Sequence, residues 1–185
     1  AMAVTNRLYL GDGIYRLEAW NPGDAVLMYG GGHGATIQGD GDLLLNIINS
    51  YFEKIAFRNT TVRGKHITIP NGSNRFGECI DCTFGMATYH IYKASGVLVS
   101  SRFVRTRFGG GTLATGASIQ SRFYDGLNLY TELGCYTWFN ASGIHISYGT
   151  SILLLDGVTE YNTRQDVEID VPAGQSLAAM MIQNI

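Results

Sequence analysis

Charge is scarce in this chain. Lys, Arg, Asp and Glu together make up 15% of its 185 residues, against ~25% in soluble globular proteins. Lys and Arg nowhere form a run, and the formal net charge is −2, so there is no electrostatic footprint for a nucleic-acid partner. Apolar runs are short as well. Runs such as Ile152 to Leu155 and Ala178 to Ile182 fall far below the ~20 residues that span a bilayer, and no membrane insertion is expected. No basic segment followed by an apolar stretch marks a leader, and Ala1-Met2 reads as a remnant ahead of the native start. Cysteine is limited to three, an odd count that argues against a disulfide framework. Proline is limited to three also, which leaves the turns to 24 glycines. That balance suits short strands joined by tight reversals, where glycine supplies positive φ without steric cost. A chain of this length is expected to form one core, burying roughly two thirds of its unfolded surface.

Against that background a repeat stands out. Ser101-Arg102-Phe103 recurs twenty positions later as Ser121-Arg122-Phe123. The register extends backward to Ile80, Cys82 and Phe84, more loosely to Thr60 and Val62, and forward to Ile144, His145 and Ile146. Alternate residues are apolar in each segment, the period of a strand with one buried face. A single such strand cannot bury that face, so a spacing near twenty predicts stacked coils of a solenoid with a shared core. The expected fold is all-β, a right-handed parallel β-helix of about five coils, with Phe84, Phe103 and Phe123 one above another. Cys82 then faces in and Cys79 out. Residues 1–50 are expected to form an N-terminal cap and opening coil, with a hairpin or cap around Gly11-Asp12-Gly13; residues 51–165 the coils; residues 166–185 a C-terminal strand, cap or subunit-contact segment. Residues 43–48 fit a short helix or a strand equally. The apolar ending, Ala178 to Ile182, points to cover by a partner subunit.

Three passages, Gly13-Ile14-Tyr15-Arg16-Leu17, Gly30 to Thr36, and Phe57-Arg58-Asn59-Thr60-Thr61, resemble the start of the right-handed parallel β-helix of bacteriophage tailspikes and other pectate-lyase-like proteins. In that family a G-x-Y-x-L strand and a G-x-G-x-G-A-T turn precede the first regular coils. The resemblance covers residues 10–160 and lies in pattern and turn chemistry. It implies an elongated, often trimeric protein of the virion tail that engages bacterial surface polysaccharide, capsule or O-antigen, and in many members cleaves it. No cofactor or metal is expected.

Arg102 and Arg122 read as outward residues of adjacent coils, flanked by Arg105 and Arg107. At about 4.8 Å between coils, two guanidinium groups repel unless an anion lies between them. An acidic sugar would serve, gripped by the planar arginine fork. Alternatively these arginines pair with Asp81 or Asp125 and keep the face soluble. Tyr130, Tyr136 and Trp138 fall in a stretch, 127–140, that breaks the alternation and reads as a loop leaving the coil. Flat side chains with a polar rim suit sugar rings, although Trp138 equally suits an interior or an interface.

Glycoside hydrolysis needs two carboxyl groups flanking the scissile bond, and Asp125 with Glu132 are the candidates; for a lyase, His145 with Arg122 is the corresponding pair. Cys79 and Cys82 form a C-x-x-C with no second pair or His at ligand spacing, which argues against zinc. The glycines around His33 lack the Lys and Ser or Thr of a phosphate loop. Three readings follow: a polysaccharide-recognising tailspike or tail-fibre domain, which is favoured; a depolymerase, hydrolase or lyase, on the same glycan; and a structural fibre segment.

Overall fold

A computed structural model describes residues 6–22, 25–31, 34–70, 75–93, 99–109, 120–124, 127–138, 142–146, 149–160, 165–169, 173 and 179–185. Among these residues there is no helix, and the strands form a parallel β-helix with three faces. One face has eight strands: β1 (Asn6–Leu10), β3 (Val26–Gly30), β5 (Ser50–Glu53), β8 (Arg75–Ile80), β11 (Val99–Val104), β14 (Leu127–Leu133), β17 (Gly149–Leu155) and β20 (Ala179–Gln183). A second has seven: β2 (Gly13–Arg16), β4 (Ala35–Gly39), β6 (Ala56–Asn59), β9 (Thr83–Gly85), β12 (Arg107–Gly109), β15 (Tyr136–Trp138) and β18 (Val158–Glu160). The third has five: β7 (Lys65–Ile69), β10 (Tyr89–Lys93), β13 (Gln120–Tyr124), β16 (Ser142–Ile146) and β19 (Gln165–Ile169).

The core is a set of columns running along the stack. On the eight-stranded face Met28, Phe52, Cys79 and Phe103 share one register and are all buried. On the seven-stranded face Ile37, Phe57, Phe84 and Phe108 do the same. Their rings stack nearly flat, 4.9 Å and 9° between Phe57 and Phe84, 5.2 Å and 5° between Phe84 and Phe108. Each such ring contributes roughly 1.5–3 kcal/mol by burial. On the five-stranded face the buried His66 and His90 stack at 5.5 Å and 9°. Leu44 bridges to Trp20 and to Ile67, extending this side into the earlier coils. Residues 43–48 are thus neither helix nor a named strand, with Leu43, Leu44 and Ile47 fully buried.

Between the eight- and seven-stranded faces every described coil from Lys54 onward turns on one left-handed residue. These are Lys54, Asp81, Arg105, Gly134, Asp156 and Asn184, with φ between 45° and 59°. The conformation is unfavourable for most side chains, but each rung is tied to the next. Lys54 N donates to Ile80 O, Asp81 N to Val104 O, Arg105 N to Leu133 O, Gly134 N to Leu155 O and Asp156 N to Gln183 O, all between 2.8 and 3.1 Å.

The residue after each of the first four corners, Ile55, Cys82, Thr106 and Cys135, is buried, and three of these carry a donor. Thr106 Oγ1 donates to Cys79 O and Val104 O at 3.2 Å. Cys82 Sγ does likewise toward Phe52 O and Ile80 O at 3.4 Å, and Cys135 Sγ toward Phe103 O and Leu133 O at 3.6 and 3.8 Å. The left-handed Asp81 between them therefore turns both Cys79 and Cys82 into the core, correcting the expectation that Cys79 faces out. Burial pushes the Cys79 thiol well above its usual range, the state of an inert, structural cysteine.

Three further expectations change. Phe84, Phe103 and Phe123 do not stack; they lie in β9, β11 and β13, one on each face. Register partners are 20 residues apart between Leu8 and Met28 but 31 between Ile91 and Arg122, and each coil from β5 to β19 carries three strands. A spacing of twenty therefore moves the chain onto another face. Residues 6–16 are not a hairpin, because β1 pairs with β3 and β2 with β4, both parallel. The stretch 127–138 is not a loop, because β14 and β15 are regular rungs paired on both sides.

Candidate functional site

Side chains alternate along a strand, so the residues flanking the inward Phe57, Phe84 and Phe108 point out of the seven-stranded face. One outer column runs Thr36, Ala56, Thr83, Arg107, Tyr136; the other runs Gln38, Arg58, Gly85, Gly109. Ala56, Thr83, Gly85 and Gly109 are small, and the face dips there into a groove of about 420 Å³ rimmed by Ile14, Gln38, Arg58 and Met86. Beyond it a second hollow of about 500 Å³ is lined by Arg105, Arg107, Gly134 and Tyr136. Arg107 pairs in register with Thr83 on one side and Tyr136 on the other, which sets the two on neighbouring rungs of the same face. From β2 to β15 the face spans roughly 24 Å at about 4.8 Å per rung.

The floor is open by composition, not by backbone need. A Cβ at Gly85 would meet only Gly109 O, at 3.9 Å, and Gly85 is not among the positive-φ residues. A larger side chain would fit the strand and fill the groove.

Charge divides the arginines into two groups. Arg102 is ion-paired with Glu78. Arg105 holds Asp81 by a two-pronged contact, Nε to Oδ1 at 2.7 Å and Nη2 to Oδ2 at 2.9 Å, which raises its pKa. Arg63 is bonded to Asp40, whose carboxyl is held low first by the Thr61 hydroxyl and also by Arg63. Arg58 and Arg107 are exposed and, among the described residues, have no ion-pair partner. Arg58 thus brings unpaired positive charge to the groove and Arg107 to the hollow beside it, while Arg7 and Arg16 are likewise exposed and without an ion-pair partner among the described residues.

The residues singled out from sequence are scattered by this geometry. Arg102 sits on the eight-stranded face between Glu78 and Thr131, while Arg122 sits on the five-stranded face between Ile91 and Ile144. They are not neighbours, so the stacked-guanidinium arrangement does not form, and pairing with an acid describes Arg102 and Arg105 instead. Tyr136 lies at the groove beside Arg107. The Trp138 backbone is on the same face, paired with Gly109 and Glu160. Tyr130 is on the eight-stranded face between Ser101 and Ile152.

Glu132 holds the register position between Phe103 and Leu154, both fully buried, and does not border a loop. Asp125 lies outside the described residues, as does His33. His145 pairs in register with Phe123, next to Arg122. For Arg122, Tyr130, Glu132, Trp138 and His145 the structure describes the backbone.

Arg58 and Gly85 were missed. Arg58 follows Phe57 directly, and alternation from that buried ring was the signal that could have placed it outward.

The groove offers the Arg58 guanidinium, hydroxyl and amide groups from Thr36, Thr83 and Gln38, and an apolar floor, with the Arg107 guanidinium in the hollow beside it. Such a surface can hold an extended polar polymer by hydrogen bonds and charge. Among the described residues no group of three or more His, Cys, Asp or Glu is placed to hold a metal ion. Compared with known proteins, the chain matches no protein-family model, no curated protein and no solved structure.

Proposed function

We propose that this chain is the polysaccharide-recognising segment of a bacteriophage tailspike or tail fibre, and that the outer face of its seven-stranded sheet holds bacterial capsule or O-antigen. The observation that carries the reading is the shallow groove edged by Arg58 over a floor of small residues, with Arg107 in the adjacent hollow, neither arginine having an ion-pair partner among the described residues. A linear groove matches an extended polymer better than a compact ligand, which a closed pocket would enclose. Tyr136 at one end adds an aromatic surface with a polar rim. The polar side chains named along the groove and hollow are those of Arg, Thr, Gln and Tyr, with no carboxyl pair among them, which favours recognition over hydrolysis. In the virion the segment would act as a homotrimer, as elongated tail proteins of this architecture do.

Retention of the purified chain on polysaccharide from a panel of bacterial surfaces tests this, with reducing ends and unsaturated-sugar absorbance followed in parallel. Gly85→Leu is expected to lower retention at least tenfold while leaving the melting temperature within a few degrees, because the added side chain enters open space. Full retention by a folded Gly85→Leu chain would remove the groove from the reading. Light scattering checks the trimer.

A further inference from the structure

The corner ladder has one rung without a side chain. At equivalent positions Lys54, Asp81, Arg105, Asp156 and Asn184 all adopt the left-handed conformation with side chains in place, so the backbone does not demand glycine at position 134. A Cβ there would meet Arg105 Cγ at 3.7 Å and Asp156 O at 3.8 Å, ordinary contacts. What the missing side chain leaves is the hollow of about 500 Å³ between Arg105, Arg107 and Tyr136.

One cation beside it is uncommitted. Arg105 is already committed to Asp81 through Nε and Nη2, and Arg107 has no ion-pair partner among the described residues. Asp156, the acid on the next rung, accepts a hydrogen bond from Asn184 Nδ2 at 2.8 Å, one rung further on. An anion placed over Gly134 would meet the free Arg107 fork, with the Arg105 guanidinium behind it. A planar carboxylate suits such a fork, since two parallel N–H bonds fix its orientation.

We infer that the hollow over Gly134 is a subsite for the carboxylate of an acidic sugar, held by Arg107 and backed by Arg105, so that the polysaccharide recognised is one bearing carboxyl groups. This rests on the groove reading above and narrows its ligand to an acidic class.

The probe is a panel of surface polysaccharides, each in native form and after chemical reduction of its carboxyl groups to alcohols, with binding to the full chain measured by retention at low and high salt. Native acidic polymers are expected to bind at least tenfold better than their reduced forms, and added salt to weaken them. Arg107→Gln should erase that preference with the fold intact by circular dichroism. Gly134→Asp should do so independently, because it places a carboxylate in the hollow from within, at a conformation Asp tolerates.

Equal binding of native and reduced polymers overturns the carboxylate subsite while leaving glycan recognition standing. So does unchanged binding by folded Arg107→Gln and Gly134→Asp chains. Binding to no polymer, acidic or neutral, overturns both the subsite and the recognition reading.

Discussion

Phe84→Ala is expected to lower stability by about 3–5 kcal/mol, the range for removing a fully buried aromatic ring. Phe84 is completely buried and stands in the middle of its column, with Phe57 at 4.9 Å on one side and Phe108 at 5.2 Å on the other. His66 packs on it at 5.9 Å and His90 at 6.2 Å. All of these neighbours are held by strands paired into adjacent rungs, so they cannot close over the gap, and the cavity term adds to the lost burial. Urea unfolding reads the effect as a lower midpoint at an unchanged slope. A loss under about 1 kcal/mol would mean that the rungs slide to fill the space, contrary to the rigid column described above.

The second large effect is a pH dependence. His66 is fully buried, and neither ring nitrogen has a hydrogen-bond partner. Its ring packs on Phe57, Phe84 and His90, of which only His90 titrates. Burial lowers its pKa from 6.5 to about 3. The folded chain therefore keeps this imidazole neutral while the unfolded chain protonates it below about 6.5. Unfolding takes up a proton across that window, so stability falls as pH drops from 6.5 toward 3. The loss from this one group reaches about 3 kcal/mol at pH 4 and about 4 kcal/mol at pH 3, at about 1.4 kcal/mol per unit. His66→Phe keeps a flat ring in the stack and removes the proton. Its unfolding free energy is expected to decline far less than that of the wild type between pH 7 and pH 4. Parallel declines in the two proteins would assign the acid sensitivity to other groups.

The winding of the chain was legible in the sequence because alternation and glycine-rich punctuation are local signals. Which segment stacks on which was not. The twin Ser-Arg-Phe tripeptides suggested vertical neighbours, yet the coils in which they fall have three strands each and no fixed length, so identity at a spacing of twenty joined different faces. The error carried directly into the site. Arg102 and Arg122 depended on that false stacking, whereas Tyr136, chosen for its own chemistry, lies at the groove. The 127–138 segment failed for a related reason: the left-handed turn at Gly134 shifts the alternation by one residue, and a phase shift at a corner looks in sequence like the end of regular structure. The same shift at Asp81 hid the inward face of Cys79.

The left-handed corner also fixes what this architecture can change. Successive corners are 27, 24, 29, 22 and 28 residues apart, from Lys54 through Asn184, yet the hydrogen bonds linking them vary by only a few tenths of an ångström. The corner behaves as a keyed spindle, and all slack in chain length is taken up elsewhere on the circumference, where loop closure is only weakly sensitive to extra residues. Whole turns are therefore the natural currency of lengthening and shortening. Joining Asp81 directly to Thr106, for instance, removes one revolution: Lys54 N still donates to Ile80 O, and Asp81 N takes over from Arg105 N in donating to Leu133 O, leaving every remaining layer in phase.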